Sequence, residues 1–184
     1  SDLEDAVPLM PTFVEDFFQN PAGDLGTLRC WPWHAAGKVL LLGDAAHAMV
    51  PFFGQGMNCA FEDVRVLASL IDERLSELPA SSRGPLDWQE IYTSYASERK
   101  PNTDAIQSMA LENFYEMRDR VADPVFQRKR ELETRLEQSR PDYFSKYSMV
   151  TFREDMRYAD AMVRGNAQDA FLRSEEHTAE LQSH

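Results

Sequence analysis

Apolar residues recur at Met57, Ala60, Phe61, Val64, Leu67, Ala68 and Ile71 with the period of an amphipathic helix. The spacing therefore predicts a long helix that starts near Gly54 to Gly56 and turns this stripe toward a core. Upstream, alternation over Thr27–Trp33 predicts a strand. The continuous apolar run Lys38–Leu42 (KVLLL) predicts a second strand of the kind buried on both faces of a parallel sheet, ended by Gly43 and Asp44. Phe13, Phe17 and Phe18 suggest a short helix packed on something else.

Downstream the pattern is helical. Residues 78–86 read as a loop by their Pro, Ser and Gly content, and Asp87 is placed to cap a helix from Trp88 to about Lys100. Pro101 is expected to interrupt it, with a further helix from Asn102 or Thr103 to about Arg120. Pro124 sits in the first turn of the next helix, which reaches about Gln138 before Pro141. The aromatic and β-branched segment Tyr143–Phe152 fits either class, and a last helix is expected from about Arg153 to Leu172. The final dozen residues, RSEEHTAELQSH, carry no apolar periodicity and resemble a translated sequencing adapter. They are set aside as a suspected non-native tail, the alternative being a frayed natural end. Two strands alone cannot make a sheet with a buried face, so the class expected is α/β, mostly α, with sheet neighbours outside this chain.

Composition narrows the function. The 184 residues include 31 acidic and 19 basic side chains, a formal charge of −12. That field repels nucleic acid and anionic membrane surfaces. Cys30 and Cys59 have no metal-ligand spacing, so a reducing, cytoplasmic setting and no metal are expected. No apolar run approaches the roughly 20 residues of a membrane span.

The candidate chemistry lies in Gly43–Asn58, GDAAHAMVPFFGQGMN. Ligands of α/β sheets bind beyond the carboxyl ends of strands, and a helix N-terminus favours negative charge. Asp44 at the strand end could accept hydrogen bonds from sugar hydroxyls. The N–H groups of the Gly54–Asn58 turn could face an acceptor that becomes negative. A lone Gly-Asp or Gly-x-Gly would be no more than turn geometry. Sixteen residues in this order are more specific.

These sixteen residues, followed by Glu62 and Asp63, resemble the second flavin motif of the class A FAD-dependent aromatic hydroxylases, specifically the branch acting on L-kynurenine. ENFYEMRD around Asn113 and KYSMVTF around Tyr147 support the same branch, and the resemblance spans roughly residues 5–165. It implies a Rossmann-type FAD-binding monooxygenase, with NADPH and dioxygen as co-substrates, that converts L-kynurenine to 3-hydroxykynurenine. By the same resemblance Asp44 binds FAD hydroxyls, and Met57 and Asn58 contact the flavin ring through their backbone. Pro51 to Gln55, with Gly54, form the loop over that ring, and Gly56 binds the cofactor from the turn that follows. Phe52 and Gln55 face the substrate, Asn113 and Tyr147 bind its amino-acid carboxylate, and Met117 and Thr151 line its pocket.

The resemblance assigns no residue here to acid, base or nucleophilic catalysis, and gives His47 a packing or hydrogen-bonding role. A complete enzyme of the class also needs an N-terminal GxGxxG turn and more strands, so the chain is expected to be a C-terminal part, inactive alone. Its divisions are then 1–76 for the flavin motif, 77–172 for a helical substrate-pocket region and 173–184 for the tail. The alternatives are a related flavin hydroxylase of a phenol or salicylate, or a non-catalytic helical interaction module.

Without the family, Asn113 is ambiguous. It interrupts an apolar stripe with Ile106, Ala110 and Met117, and a buried amide without a partner costs about 1–3 kcal/mol. A ligand carboxylate is one candidate partner, but a neighbouring backbone group is the commoner one and is favoured on the residues alone.

Overall fold

The computed structural model describes residues 7–78 and 85–182, so the loop expected over 78–86 lies largely outside the described residues. Among the described residues the chain is mostly helical with one small two-stranded sheet.

The long helix α4, Trp88–Asp119, organises the rest. The Asp87 side chain caps it as expected, accepting from the Glu90 N–H at 3.1 Å. Pro101 does not interrupt it. The ring removes one backbone donor. Around it the Asn102 amide donates to the Glu98 carbonyl at 3.0 Å and the Thr103 hydroxyl to the Lys100 carbonyl at 3.1 Å. Tyr95 and Ala96 before the proline and Ala105 and Ile106 after it are all buried, so packing along both halves holds one continuous helix.

The helix α3, Gly56–Glu77, begins where the spacing predicts but buries a different face. Its buried residues are Cys59, Asp63 and Val66, while Met57, Phe61 and Val64 from the expected core stripe are exposed. The reason is the partner. On α4, Tyr95, Arg99, Asn102 and Ile106 form a buried stripe, and the Asp63–Arg99 ion pair fixes the facing side of α3.

The strands are also shorter than expected. Thr27–Trp33 is no strand, and β1 (His34–Ala35) and β2 (Val39–Leu40) form a two-residue antiparallel hairpin. The Leu28 N–H instead donates to the Ala48 carbonyl at 2.8 Å, and the Gln107 amide donates to both Leu28 and Ala48 carbonyls. Val39 is 55% exposed, so the KVLLL run is not buried on both faces; among the described residues only β1 pairs with it.

The short helix α1, Phe13–Gln19, forms where expected, yet none of its residues is buried and Phe17 and Phe18 are exposed. After Gly43 comes the single turn α2, Asp44–His47, and a 3-10 turn at Pro51–Phe53 leads to α3. Pro124 opens α5, Pro124–Ser139, with Asp123 as its cap. Tyr143–Phe152 resolves as helix α6, Lys146–Phe152, capped by Ser145. The last helix, α7, starts at Tyr158, later than expected, because residues 153–157 turn. It runs to Gln182, past the expected end at Leu172, and no Pro or Gly follows Gly165 to stop it.

Two apolar clusters meet on α3 and α4. Trp33, Ala46, Val66, Tyr95 and Ala96 form one, and Cys59, Ile106, Met109, Met149, Val150 and Ala161 the other. Asp63 and Arg99 lie at the seam between them.

Candidate functional site

The Gly43–Asn58 segment folds as two tight turns before α3. Gly43 and Gly54 both have positive φ, 57° and 68°, a conformation that favours glycine. A Cβ on Gly43 would also meet the Ala60 side chain at 3.3 Å. The turns make one wall of a cavity of about 600 Å³ lined by Asp44, Pro51, Gly54, Gly56 and Met57, with Met49 and Ala60. Five of the seven expected cofactor residues thus share one space.

Two features of this cavity suit an anionic, hydroxyl-rich cofactor. The first-turn N–H groups of a helix have no partner within it, and no side chain caps α3. Across its 22 residues the helix dipole favours negative charge at this end. Asp44 is exposed, and its carboxylate bonds to none of the described residues. A dinucleotide edge with hydroxyls and an electron-accepting ring fits these donors and this acceptor.

Gln55 and Asn58 turn the other way. Gln55 is buried and its amide oxygen accepts from Asn58 Nδ2 at 3.0 Å and from the Tyr158 hydroxyl at 3.2 Å. Both residues line a second cavity of about 780 Å³, together with Thr151. The Thr151 hydroxyl is buried there without a partner among the described residues.

Asn113 and Tyr147 line a third, narrow cavity of about 50 Å³. The Asn113 amide donates to the Phe52 carbonyl at 2.5 Å and lies 3.8 Å from Met117 Sδ, and Met117 itself is 55% exposed. Of the two partners open to Asn113, the structure shows the backbone one; a primary amide still has a second N–H to give. Phe52 packs against Phe114 with tilted rings, centroids 4.6 Å apart, and Tyr147 likewise against Phe53 at 5.7 Å. Asn113, Tyr147, Phe52 and Met117 are therefore neighbours, while Thr151 stands with Gln55 and Asn58.

A buried polar network supports the turn, and motif reading did not identify it. Asp63 is fully buried. Its Oδ2 lies 2.5 Å from His47 Nε2 and 3.0 Å from the Gly43 N–H; its Oδ1 accepts from Arg99 Nε at 2.7 Å. Arg99 Nη1 also reaches Glu62 at 2.7 Å, and Arg99 Nη2 donates to the Cys59 carbonyl at 3.1 Å. Burial works against a charge on Asp63, but the hydrogen bonds from His47, Arg99 and Gly43 outweigh it and hold its carboxyl below the usual range. Burial pushes the Cys59 thiol up to about 12, so it stays neutral.

His47, Cys59 and Asp63 lie close enough together to suggest a cation site. The Arg99 guanidinium already supplies the positive charge there. The clue available in the sequence was an acidic and a basic residue, each within a buried helical stripe, which burial tolerates only as a pair. His47 also packs against Trp33, with ring centroids 5.5 Å apart. Its hydrogen-bonding role agrees with the sequence reading.

Residues 18–110 match the FAD binding domain family, half of the chain, and the chain belongs to that family. The cofactor of this family is FAD, which the cavity beside Asp44 suits. Among curated proteins, the chain is 48% identical over 172 residues to a kynurenine 3-monooxygenase of Stenotrophomonas maltophilia. It is 45% identical over 172 residues to that of Dictyostelium discoideum and 46% identical over 153 residues to that of Myxococcus xanthus. The alignments cover 93%, 91% and 83% of this chain, and 35%, 37% and 31% of those relatives. The chain thus spans about a third of the length of the curated relatives it matches. Among the described residues, no helix is long and apolar enough to cross a membrane.

Proposed function

We propose that this chain closes the flavin site and builds one wall of the substrate pocket in a Rossmann-type FAD-dependent aromatic hydroxylase. The whole enzyme is proposed to convert L-kynurenine to 3-hydroxykynurenine, using NADPH and dioxygen. The observation that carries the substrate assignment is that Asn113 and Tyr147, from α4 and α6, line one cavity beside the Phe52 carbonyl. The names of the relatives supply the substrate class.

FAD, when bound, supplies the redox chemistry: it accepts hydride equivalents and activates dioxygen. The chain's own residues do the rest. Asp44 accepts hydrogen bonds from the cofactor's hydroxyls. The open N-terminus of α3 stabilises negative charge on the cofactor edge, a preorganised arrangement needing no reorientation during turnover. The Pro51–Phe53 turn, backed by Phe114, keeps water from the reacting ring. Asn113 gives one N–H to Phe52 and exchanges the weak Met117 sulfur acceptor of the other for the substrate carboxylate, with the Tyr147 hydroxyl as second donor.

Losing a hydrogen bond to a charged group costs about 1.5–3 kcal/mol. In the full-length protein carrying this segment, Asn113→Ala and Tyr147→Phe are each expected to raise KM for L-kynurenine roughly 10–100-fold. Steady-state NADPH oxidation reads this directly. An unchanged KM in both variants would assign the protein to another aromatic substrate.

A further inference from the structure

The cavity lined by Asn113 and Tyr147 has a second wall that none of the assignments above explains: Lys129, Lys146 and Asp169. Asp169 on α7 takes Lys129 of α5 on Oδ1 at 2.7 Å and Lys146 of α6 on Oδ2 at 3.1 Å. All three side chains are at least four-fifths buried. Burial works against the Asp169 charge, yet the two ammonium groups hold its carboxyl below the usual range.

An independent packing feature lies one turn earlier on α7. Gly165 has no side chain, and a Cβ placed there would come within 2.7–2.9 Å of the Lys146 Cγ, Cβ and Cε atoms. The Lys146 stem therefore lies flat on the bare backbone at Gly165, and its ammonium reaches Asp169 four residues further on the same face. Lys146 is the first residue of α6 and directly precedes Tyr147.

We propose that Gly165, Lys146 and Asp169 form a latch that sets the position of α6, and that Lys146 and Asp169 are positioning residues for the Tyr147 side of the substrate pocket. The inference rests on the substrate reading above. A one-residue step along α6 couples the latch to Tyr147, while the flavin-side residues Asp44 and Gly54–Asn58 lie on other elements. The latch thus acts first on Tyr147 and substrate binding; α6 meets the flavin side only further along, where Thr151 shares a cavity with Gln55 and Asn58, and across the Tyr147–Phe53 ring contact.

The test uses the full-length, flavin-loaded protein. Lys146→Met keeps the stem over Gly165 and removes the charge, ending the bond to Asp169 and the longer one, 3.4 Å, to Glu112 on α4, while Lys129 still neutralises Asp169. It is expected to raise KM for L-kynurenine about tenfold, since a misplacement of about 1 Å in a positioning group has effects of that order or larger. FAD content and the KM for NADPH should be unchanged, kcat at saturating kynurenine should stay within about twofold, and Lys146→Arg should restore KM. Gly165→Ala, which forces the stem away, should reproduce the KM effect with all charges intact. Asn113→Ala and Tyr147→Phe run in parallel. If those two raise KM and Lys146→Met and Gly165→Ala do not, the latch is overturned and the substrate reading stands. If none of the four raises KM, both fail. If Lys146→Met loses its flavin, the latch is a general fold support and the positioning role is overturned.

Discussion

Asp63→Ala is expected to destabilise the full-length protein by about 3–5 kcal/mol, because it leaves Arg99 buried without its main partner. Arg99 is 1% exposed, and the substitution takes from it the Nε bond at 2.7 Å, leaving Glu62 as its remaining carboxylate partner. It also removes the acceptor of the Gly43 N–H and of His47, the two contacts that pin the turn before Asp44. Asp63→Asn should cost less, since an amide oxygen can still accept from Arg99 while Glu62 carries the charge. Trp33, packed on His47 and Tyr95, is a local reporter, so its fluorescence should follow the loss during urea unfolding.

The same pair sets an acid limit. Asp63 titrates below its unfolded value, so its contribution is fully present above the ordinary aspartate pKa of about 3.9 and disappears as pH falls through the lower folded value. The urea midpoint of the parent should therefore drop steeply below about pH 4. In Asp63→Asn this part of the drop should be missing. Equal acid sensitivity in both proteins would show that Asp63 does not carry the effect.

Asp44→Ala is expected to have the opposite profile. Asp44 is exposed and bonds to none of the described residues, so its removal should leave the unfolding free energy of the flavin-free protein within about 0.5 kcal/mol of the parent's. Its loss should weaken FAD binding roughly 10–100-fold, the cost of one or two hydrogen bonds to a charged acceptor. Dialysis against decreasing FAD, followed by flavin absorbance, measures this. A variant that keeps its flavin as tightly as the parent would remove Asp44 from the cofactor site. Asp63→Ala and Asp44→Ala together separate support of the turn from contact with the cofactor.

The sequence made the turn chemistry legible because glycine, proline and capping residues act locally. Gly54, Asp87, Pro124 and the start of α3 follow from such local rules. The face that α3 buries did not follow, because two stripes were available. The apolar one, Met57–Phe61–Val64, lost to a stripe containing Asp63, whose partner Arg99 lies on another helix. Pairing across 36 residues leaves no periodic trace. The continuity of α4 through Pro101 is of the same kind: a local rule overridden by packing on both sides. The KVLLL run is not the doubly buried strand expected: Leu40, Leu41 and Leu42 are half-buried against one cluster, and β2 has one two-residue partner among the described residues.

For the candidate site, motif identity named the residues and the structure groups them: Asp44, Pro51, Gly54, Gly56 and Met57 around one cavity, Asn113 with Tyr147 around another, and Gln55, Asn58 and Thr151 around a third. It could not show that Gln55 is held by Tyr158, or that Lys146 and Asp169 stand behind Tyr147. Both depend on α7, which carries no recognisable motif.

The most direct measurement is flavin absorbance and NADPH oxidation of the full-length protein purified in the presence of FAD, with and without L-kynurenine, with the product identified. The expected result is a yellow protein whose NADPH oxidation rises on adding L-kynurenine and which accumulates 3-hydroxykynurenine. A colourless protein, or one whose NADPH oxidation is indifferent to L-kynurenine, would contradict it.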